Sequence, residues 1–209
     1  MEKKASLPRT RMTRRGLERK AQILQVATEK FLAHGFDGVS IDDIVLTVGG
    51  SKTNIYSQFG NKEGLFRAVI ESLCEVFLRS FRRVNLSGKD ARTGLTQLGT
   101  TLLKSLLLEK HIAFQRLVLA ESGRFPGLAQ SWFDDGPQQS RLRIADFISD
   151  CQQSGELQTV NPMAAAMLFH DMLVFNPTHL STIGRPPSTR AVNQHVRQVV
   201  DLFMCGMRR

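Results

Sequence analysis

The chain is poor in cysteine, and its three cysteines, Cys74, Cys151 and Cys205, form no CxxC pair. An odd number of widely spaced thiols suggests neither a disulfide framework nor a zinc site. Long apolar runs are missing too: no stretch approaches the roughly 18 uncharged residues of a membrane span. After Arg19 and Lys20 the apolar residues are interrupted by Gln22, Gln25, Thr28 and Glu29, so the basic start does not open a signal peptide. No membrane partner is expected, and the expected location is the cytoplasm. No period-2 alternation competes with the helical period. The sequence also lacks a nucleophile elbow, a P-loop, a dinucleotide-binding glycine run and an HExxH metal motif. Its five histidines, His34, His111, His170, His179 and His195, stand singly, and Asp134-Asp135 reads as an acidic helix end. Neither catalysis nor any cofactor is expected.

What is present is basic and helical. The 209 residues are 42% hydrophobic, enough to bury the core of one large or two modest domains, and carry a net charge of +9. The charge is concentrated. Residues 1–20 hold eight basic side chains (Lys3, Lys4, Arg9, Arg11, Arg14, Arg15, Arg19, Lys20) against Glu2 and Glu18, a net of +6. Such an arm suits a polyanionic partner, although a solvated tail has the same composition.

The segment after the arm reads as short helices with clear punctuation. Leu17, Ala21, Leu24, Ala27 and Phe31 recur at spacings of four and three, predicting a helix that ends at His34 with Gly35 as its cap. Ser40-Ile41-Asp42-Asp43 fits a capping box, and Ile41, Ile44, Val45 and Val48 then mark one face of a second helix. Gly49-Gly50 breaks it, and Ser51 is the N-cap candidate for a third, with Ile55 and Phe59 inward. Two short helices across a glycine turn make a helix-turn-helix. Its outer face would offer Lys52, Thr53, Asn54, Tyr56, Ser57 and Gln58, and a single helix is narrow enough to bring such groups to base edges in a major groove. An ordinary helical hairpin with a polar outer face shows the same spacing.

The run from Val48 through Gly49, Gly50, Ser51, Lys52, Thr53, Asn54, Ile55, Tyr56, Ser57, Gln58, Phe59, Gly60, Asn61, Lys62, Glu63, Gly64 and Leu65 to Phe66 resembles the signature of the tetracycline-repressor (TetR) family of regulators. The likeness covers about residues 17–70 without a gap. It implies a repressor that binds double-stranded operator DNA as a homodimer. It also implies that Lys52, Thr53 and Tyr56, following Ser51, lie nearest the bases. Ser40, Asn54, Ser57 and Gln58 are then candidates for phosphate or base contact, and Lys62, just after the N-cap candidate Asn61, grips a phosphate. Two positions depart from the pattern. Gly50 stands where the family usually has valine, which would leave the turn underpacked, and Asp42 puts an anion beside the expected backbone contact.

The expected organisation is all-α: a flexible basic arm over 1–16, a DNA-binding domain over 17–62, and a ligand-binding and dimerisation domain over 63–209. A fourth helix from Lys62 to about Arg83 buries Phe66, Val69, Ile70, Leu73, Phe77 and Phe81, and in this family such a helix couples ligand to DNA. Arg116 to Glu121, Arg124-Phe125-Pro126 and Gly155-Glu156-Leu157 resemble the C-terminal domain of AefR-like regulators. The helix opened by Asn161-Pro162 is apolar on two faces, Met163, Met167, His170 and Val174 against Ala164, Leu168, Met172 and Phe175, and is expected to end or kink at Pro177. The last helix, with Val192, Val196, Val199, Phe203 and Met207, would complete a four-helix dimer interface. Phe77, Phe81, Leu102, Phe114, Trp132, Phe147 and Met167 are candidates to line a pocket for a largely apolar small molecule, or simply core. The competing readings are an architectural DNA-binding protein without effector and a helical enzyme whose basic arm is incidental.

Overall fold

The computed structural model describes residues 13–207, in which every regular element is an α-helix. In chain order these are α1 (Arg14–His34), α2 (Ile41–Val48), α3 (Lys52–Phe59), α4 (Lys62–Arg82), α5 (Ala91–Leu106), α6 (Glu109–Glu121), α7 (Pro126–Asp135), α8 (Pro137–Gln153), α9 (Pro162–Thr182) and α10 (Thr189–Gly206). They divide into two compact units, Met1–Ala68 and Val69–Arg209, the division falling within α4.

The first unit is built by local signals. Thr13 opens α1 by accepting the Gly16 amide on its hydroxyl at 3.2 Å, and Arg14 pairs with Glu18 at 3.0 Å one turn on. The helix thus begins ahead of Leu17, so Arg14 and Arg15 belong to it and not to an arm. The rest of the expected arm, residues 1–12 with Arg9 and Arg11, lies outside the described residues. The buried stripe of α1 also differs in phase. Ile23, Ala27 and Phe31, at i, i+4 and i+8, are buried, whereas Leu17 is 56% exposed. The chain leaves α1 at Gly35, whose φ of 71° a side chain would resist. Phe36 then folds back so that Phe31, Phe36 and Phe66 pack with ring centroids 5.0–6.0 Å apart, closing the core with Ile44, Ile55 and Leu65.

The second unit has the larger core, with Leu95, Leu98 and Leu102 of α5, Ile144 and Ile148 of α8, Phe169 and Leu173 of α9, and Val196 and Val200 of α10 all buried. Close packing is visible at Gly94, where an added Cβ would strike the Phe147 ring. Prolines at 126, 137 and 162 open α7, α8 and α9, where a missing N–H costs nothing. Pro177 is different. The helix runs on to Thr182 instead of ending there, and the carbonyl that Pro177 leaves without its helical donor, Leu173 O, accepts from His195 Nε2 of α10 at 2.9 Å.

The core face of α9 is neither of the two expected: Ala165, Ala166, Phe169 and Leu173 are buried. Of the first expected face only His170 is buried, Met163 and Val174 being half-buried and Met167 42% exposed, and on the second Leu168, Met172 and Phe175 are 66%, 40% and 72% exposed. In α10 the stripe expected at a dimer interface, Val192, Val196, Val199 and Phe203, packs into the chain's own core, while Leu202 stays in solvent.

Candidate nucleic-acid interface and cavity

The orientation of α3 follows from what holds its two ends. Ser51 Oγ accepts the Asn54 amide at 3.4 Å to start it, and Asn61 Oδ1 accepts the Gly64 amide at 2.8 Å to start α4 directly after it. Ahead of it, α2 carries a complete capping box: Ser40 Oγ accepts the Asp43 amide at 3.1 Å, and Asp43 Oδ2 accepts from Ser40 N at 3.0 Å and from Ser40 Oγ at 2.6 Å. Those hydrogen bonds from Ser40 hold the Asp43 carboxyl below the usual carboxylate range.

The turn between α2 and α3 is clamped from α1. Arg19 donates to Val48 O at 2.8 Å and to Gly49 O, satisfying carbonyls at the end of α2. Its guanidinium occupies the place of a side chain at Gly50, where a Cβ would lie 2.7 Å from Nη2. The turn is therefore not underpacked: Arg19 fills the space that Gly50 opens. Gly50 has φ of 91°, which makes the glycine a requirement of the turn.

Ser51-capped α3 leaves Lys52, Thr53 and Tyr56 exposed, with Tyr56 at 44%. Lys52 Nζ lies 2.8 Å from Asp42 Oδ1, and this hydrogen bond raises the lysine pKa, so the anion at 42 holds the first cation of the helix. Asn54 and Gln58 are half-buried and joined, Gln58 Nε2 donating to Asn54 Oδ1 at 2.8 Å, and Ser57 Oγ donates to Asn54 O at 2.9 Å. The Ser40 hydroxyl is engaged in the capping box. Lys62 is half-buried, with Nζ 4.3 Å from the Phe36 ring centroid, a cation–π distance. The exposed surface of α3 thus offers an ammonium, a threonine hydroxyl and methyl, and a phenol, which together can meet acceptors and methyl groups on base edges. Arg19 and Asp42 carry the geometry and charge of this site without having been singled out as contacts. The positive-φ pair Gly49-Gly50 is the sequence sign of the first.

In the second unit a cavity of about 540 Å³ lies among α4 to α9. Of the residues expected there, Phe77, Leu102 and Trp132 line it. Phe81 and Phe147 are buried in the main core, Phe114 is fully buried beside Phe77 and His111, and Met167 is 42% exposed on α9. The polar groups of the wall were not foreseen. His111 is only 5% exposed, packs edge-on to Phe77 at 4.3 Å, and neither ring nitrogen meets a hydrogen-bond partner among the described residues. Burial pushes its pKa down to about 3. Arg141 Nη2 meets Asp171 Oδ1 at 2.7 Å, and His170 Nδ1 lies 3.1 Å from the same oxygen. Burial disfavours the Asp171 anion, but the hydrogen bonds from Arg141 and His170 outweigh it and keep that carboxyl below its ordinary range. Burial lowers the pKa of His170 and pushes the Cys74 thiol up to about 12. No described helix is long and apolar enough to cross a membrane.

Residues 23–69 match the family model of bacterial regulatory proteins of the tetR family, and residues 93–207, more than half of the chain, match that of the AefR-like transcriptional repressor C-terminal domain. Among curated proteins, the transcriptional repressor ComR of Escherichia coli is 39% identical over 54 residues, and the regulator RutR of the same species is 35% identical over 60. These stretches are 26% and 29% of this chain and 26% and 28% of the relatives, so they speak for the N-terminal part alone. Two solved structures are similar over nearly the whole chain. A protein of Mesorhizobium loti described as a TetR-family transcriptional regulator superposes with a TM-score of 0.84 at 25% identity, covering 95% of this chain and all of that one. The flavonoid-responsive regulator FrrA gives 0.80 at 28% identity, covering 91% of this chain and 97% of its own. With α3 presented on a glycine turn and both parts matched by family models, the chain belongs to the TetR family of bacterial transcriptional regulators, with an AefR-like C-terminal domain.

Proposed function

We propose that this regulator is a repressor that binds a palindromic operator as a homodimer and releases it when a small, largely apolar effector enters the C-terminal cavity. The cavity carries the reading: about 540 Å³ walled largely by apolar side chains falls in the roughly 300–1,000 Å³ range of small-molecule sites. The flavonoid-responsive neighbour FrrA supports it by analogy. Lys52, Thr53 and Tyr56 read bases from α3, while Ser51, Ser40, Asn54, Ser57, Gln58 and Lys62 frame that surface or meet phosphates. Lys3, Lys4, Arg9 and Arg11 add affinity without sequence preference. Leu168, Met172 and Phe175, at i, i+4 and i+7 of α9, give an exposed apolar stripe for the subunit contact, and Leu202 of α10 is a further exposed apolar residue that can serve it. Helix α4 carries both Lys62 and Phe77, a direct route by which cavity filling reaches the DNA-reading head. The protein then acts in the cytoplasm, where its DNA lies.

A binding selection on random duplexes, followed by sedimentation of the complex and a release screen with apolar compounds that includes flavonoids, tests this. The expected result is a two-fold symmetric consensus occupied by two chains and released by at least one compound. A site without symmetry filled by a single chain, or a compound that fills the cavity and leaves the complex intact, contradicts it.

A further inference from the structure

We propose that the C-terminal cavity takes an uncharged aromatic molecule bearing a hydroxyl, and that the hydroxyl hydrogen-bonds to the ring of His111. This rests on the effector reading above and narrows it to a ligand class. The walls set the body of the ligand: Phe77, Leu102, Trp132 and Val174 present apolar and aromatic surface, which rewards a flat apolar molecule. The polar groups set its charge and its one strong anchor.

Most polar groups of the wall already have partners. Ser140 Oγ donates to Pro137 O at 2.8 Å, and Thr178 Oγ1 donates to Val174 O at 2.8 Å. Arg141 is neutralised by Asp171, which also meets His170. A carboxylate entering the cavity would lose its hydration and find no unbalanced cation, and an ammonium would find no unbalanced anion. His111 is the exception. It is 95% buried, lines the cavity, and leaves both ring nitrogens without a partner among the described residues. Burial keeps the imidazole neutral at physiological pH, so one nitrogen is a donor and the other an acceptor. A hydroxyl both donates and accepts, so it serves whichever nitrogen faces it. Gln115, one turn along α6, adds an amide to the same wall.

Trp132 is the chain's single tryptophan and lies in the wall, so its emission reports occupancy directly. The full-length protein is titrated with three probes of matched shape: 4-phenylphenol, 4-methoxybiphenyl and biphenyl-4-carboxylate. 4-Phenylphenol is expected to bind wild type about tenfold or more tightly than either of the others. His111→Phe is expected to erase the preference over 4-methoxybiphenyl while still binding both, and His111→Met makes the same comparison if melting curves show the phenylalanine variant unfolded. Equal affinities of the phenol and either other probe for wild type, a preference that survives loss of the imidazole, or no change of Trp132 emission with any probe overturns the proposal. Operator affinity is followed in parallel by anisotropy of a labelled duplex. 4-Phenylphenol binding that leaves the operator complex intact refutes the effector reading and leaves the ligand class standing.

Discussion

In the head, Lys52 and Asp42 meet at 2.8 Å with side chains 52% and 67% exposed, whereas in the C-terminal unit Arg141 meets Asp171 at 2.7 Å with side chains 13% and 56% exposed. Water and salt screen the first pair and leave it worth little, so a DNA phosphate can take the aspartate's place. In the second pair the arginine is shielded from water and needs its partner, while the aspartate still reaches solvent. The head therefore keeps its charges exchangeable, as a surface for a polyanion must, while the cavity wall holds the shielded Arg141 paired and leaves the neutral ring of His111 without a hydrogen-bond partner among the described residues.

The largest effect expected from breaking this contrast is in the head's core. Phe31→Ala empties the centre of the Phe31–Phe36–Phe66 cluster and should cost about 3–5 kcal/mol, abolishing DNA binding. Trp132 emission should stay native, because Trp132 lies in the other unit. A joint loss seen by fluorescence and urea unfolding would show that the two units melt as one.

Next comes the pH response of the cavity. The pKa of His111 is depressed in the fold to about 3 from an ordinary 6.5, so the unfolded chain takes up its proton first on acidification. Its contribution is intact above pH 6.5 and is lost as pH falls from there toward 3, about 3 kcal/mol between pH 7 and pH 4. Chemical denaturation across that range should give a shallower fall for His111→Phe than for wild type, and parallel curves would place His111 in water.

A smaller effect is expected at the turn. Gly50→Val would force a branched residue to φ of 91° and push Arg19 off its carbonyls. Those carbonyls reach solvent, so the backbone strain dominates, roughly 1–2 kcal/mol. Urea midpoints measure it, and an unchanged midpoint would mean that the turn relaxes without strain. The smallest change is Asp42→Asn. Freed of its anion, Lys52 should bind DNA of any sequence a few-fold more tightly at low salt, with the melting temperature unmoved. Weaker binding would show that Asp42 orients Lys52 for the bases.

The same contrast explains what could be read from the chain in advance. The head is contiguous: Ser40, Ser51 and Asn61 cap the helices that follow them, Gly35 and the Gly49-Gly50 pair end those before, and each signal acts within four residues. Even there, periodicity located the apolar stripe of α1 but not its phase, since Leu17 and Ala21 share the period of Ile23, Ala27 and Phe31 without facing the core. The cavity is assembled from distant elements. His111, Arg141 and Asp171 come from α6, α8 and α9, and no local pattern links them. Phe81, Phe114 and Phe147 have the same helical character as Phe77, and only packing separates wall from core. The carbonyl freed by Pro177 in α9 finds its partner in His195, on the next helix, which no turn or cap rule connects to it.

Filling the cavity is expected to weaken the hold on DNA. The affinity of the selected operator duplex is measured with and without a cavity ligand, in one cuvette where Trp132 emission shows the cavity to be saturated. Operator affinity is expected to fall several-fold on saturation, and saturating operator to weaken the ligand by the same factor, since coupling between two sites is reciprocal. A saturated cavity with operator affinity unchanged would contradict it.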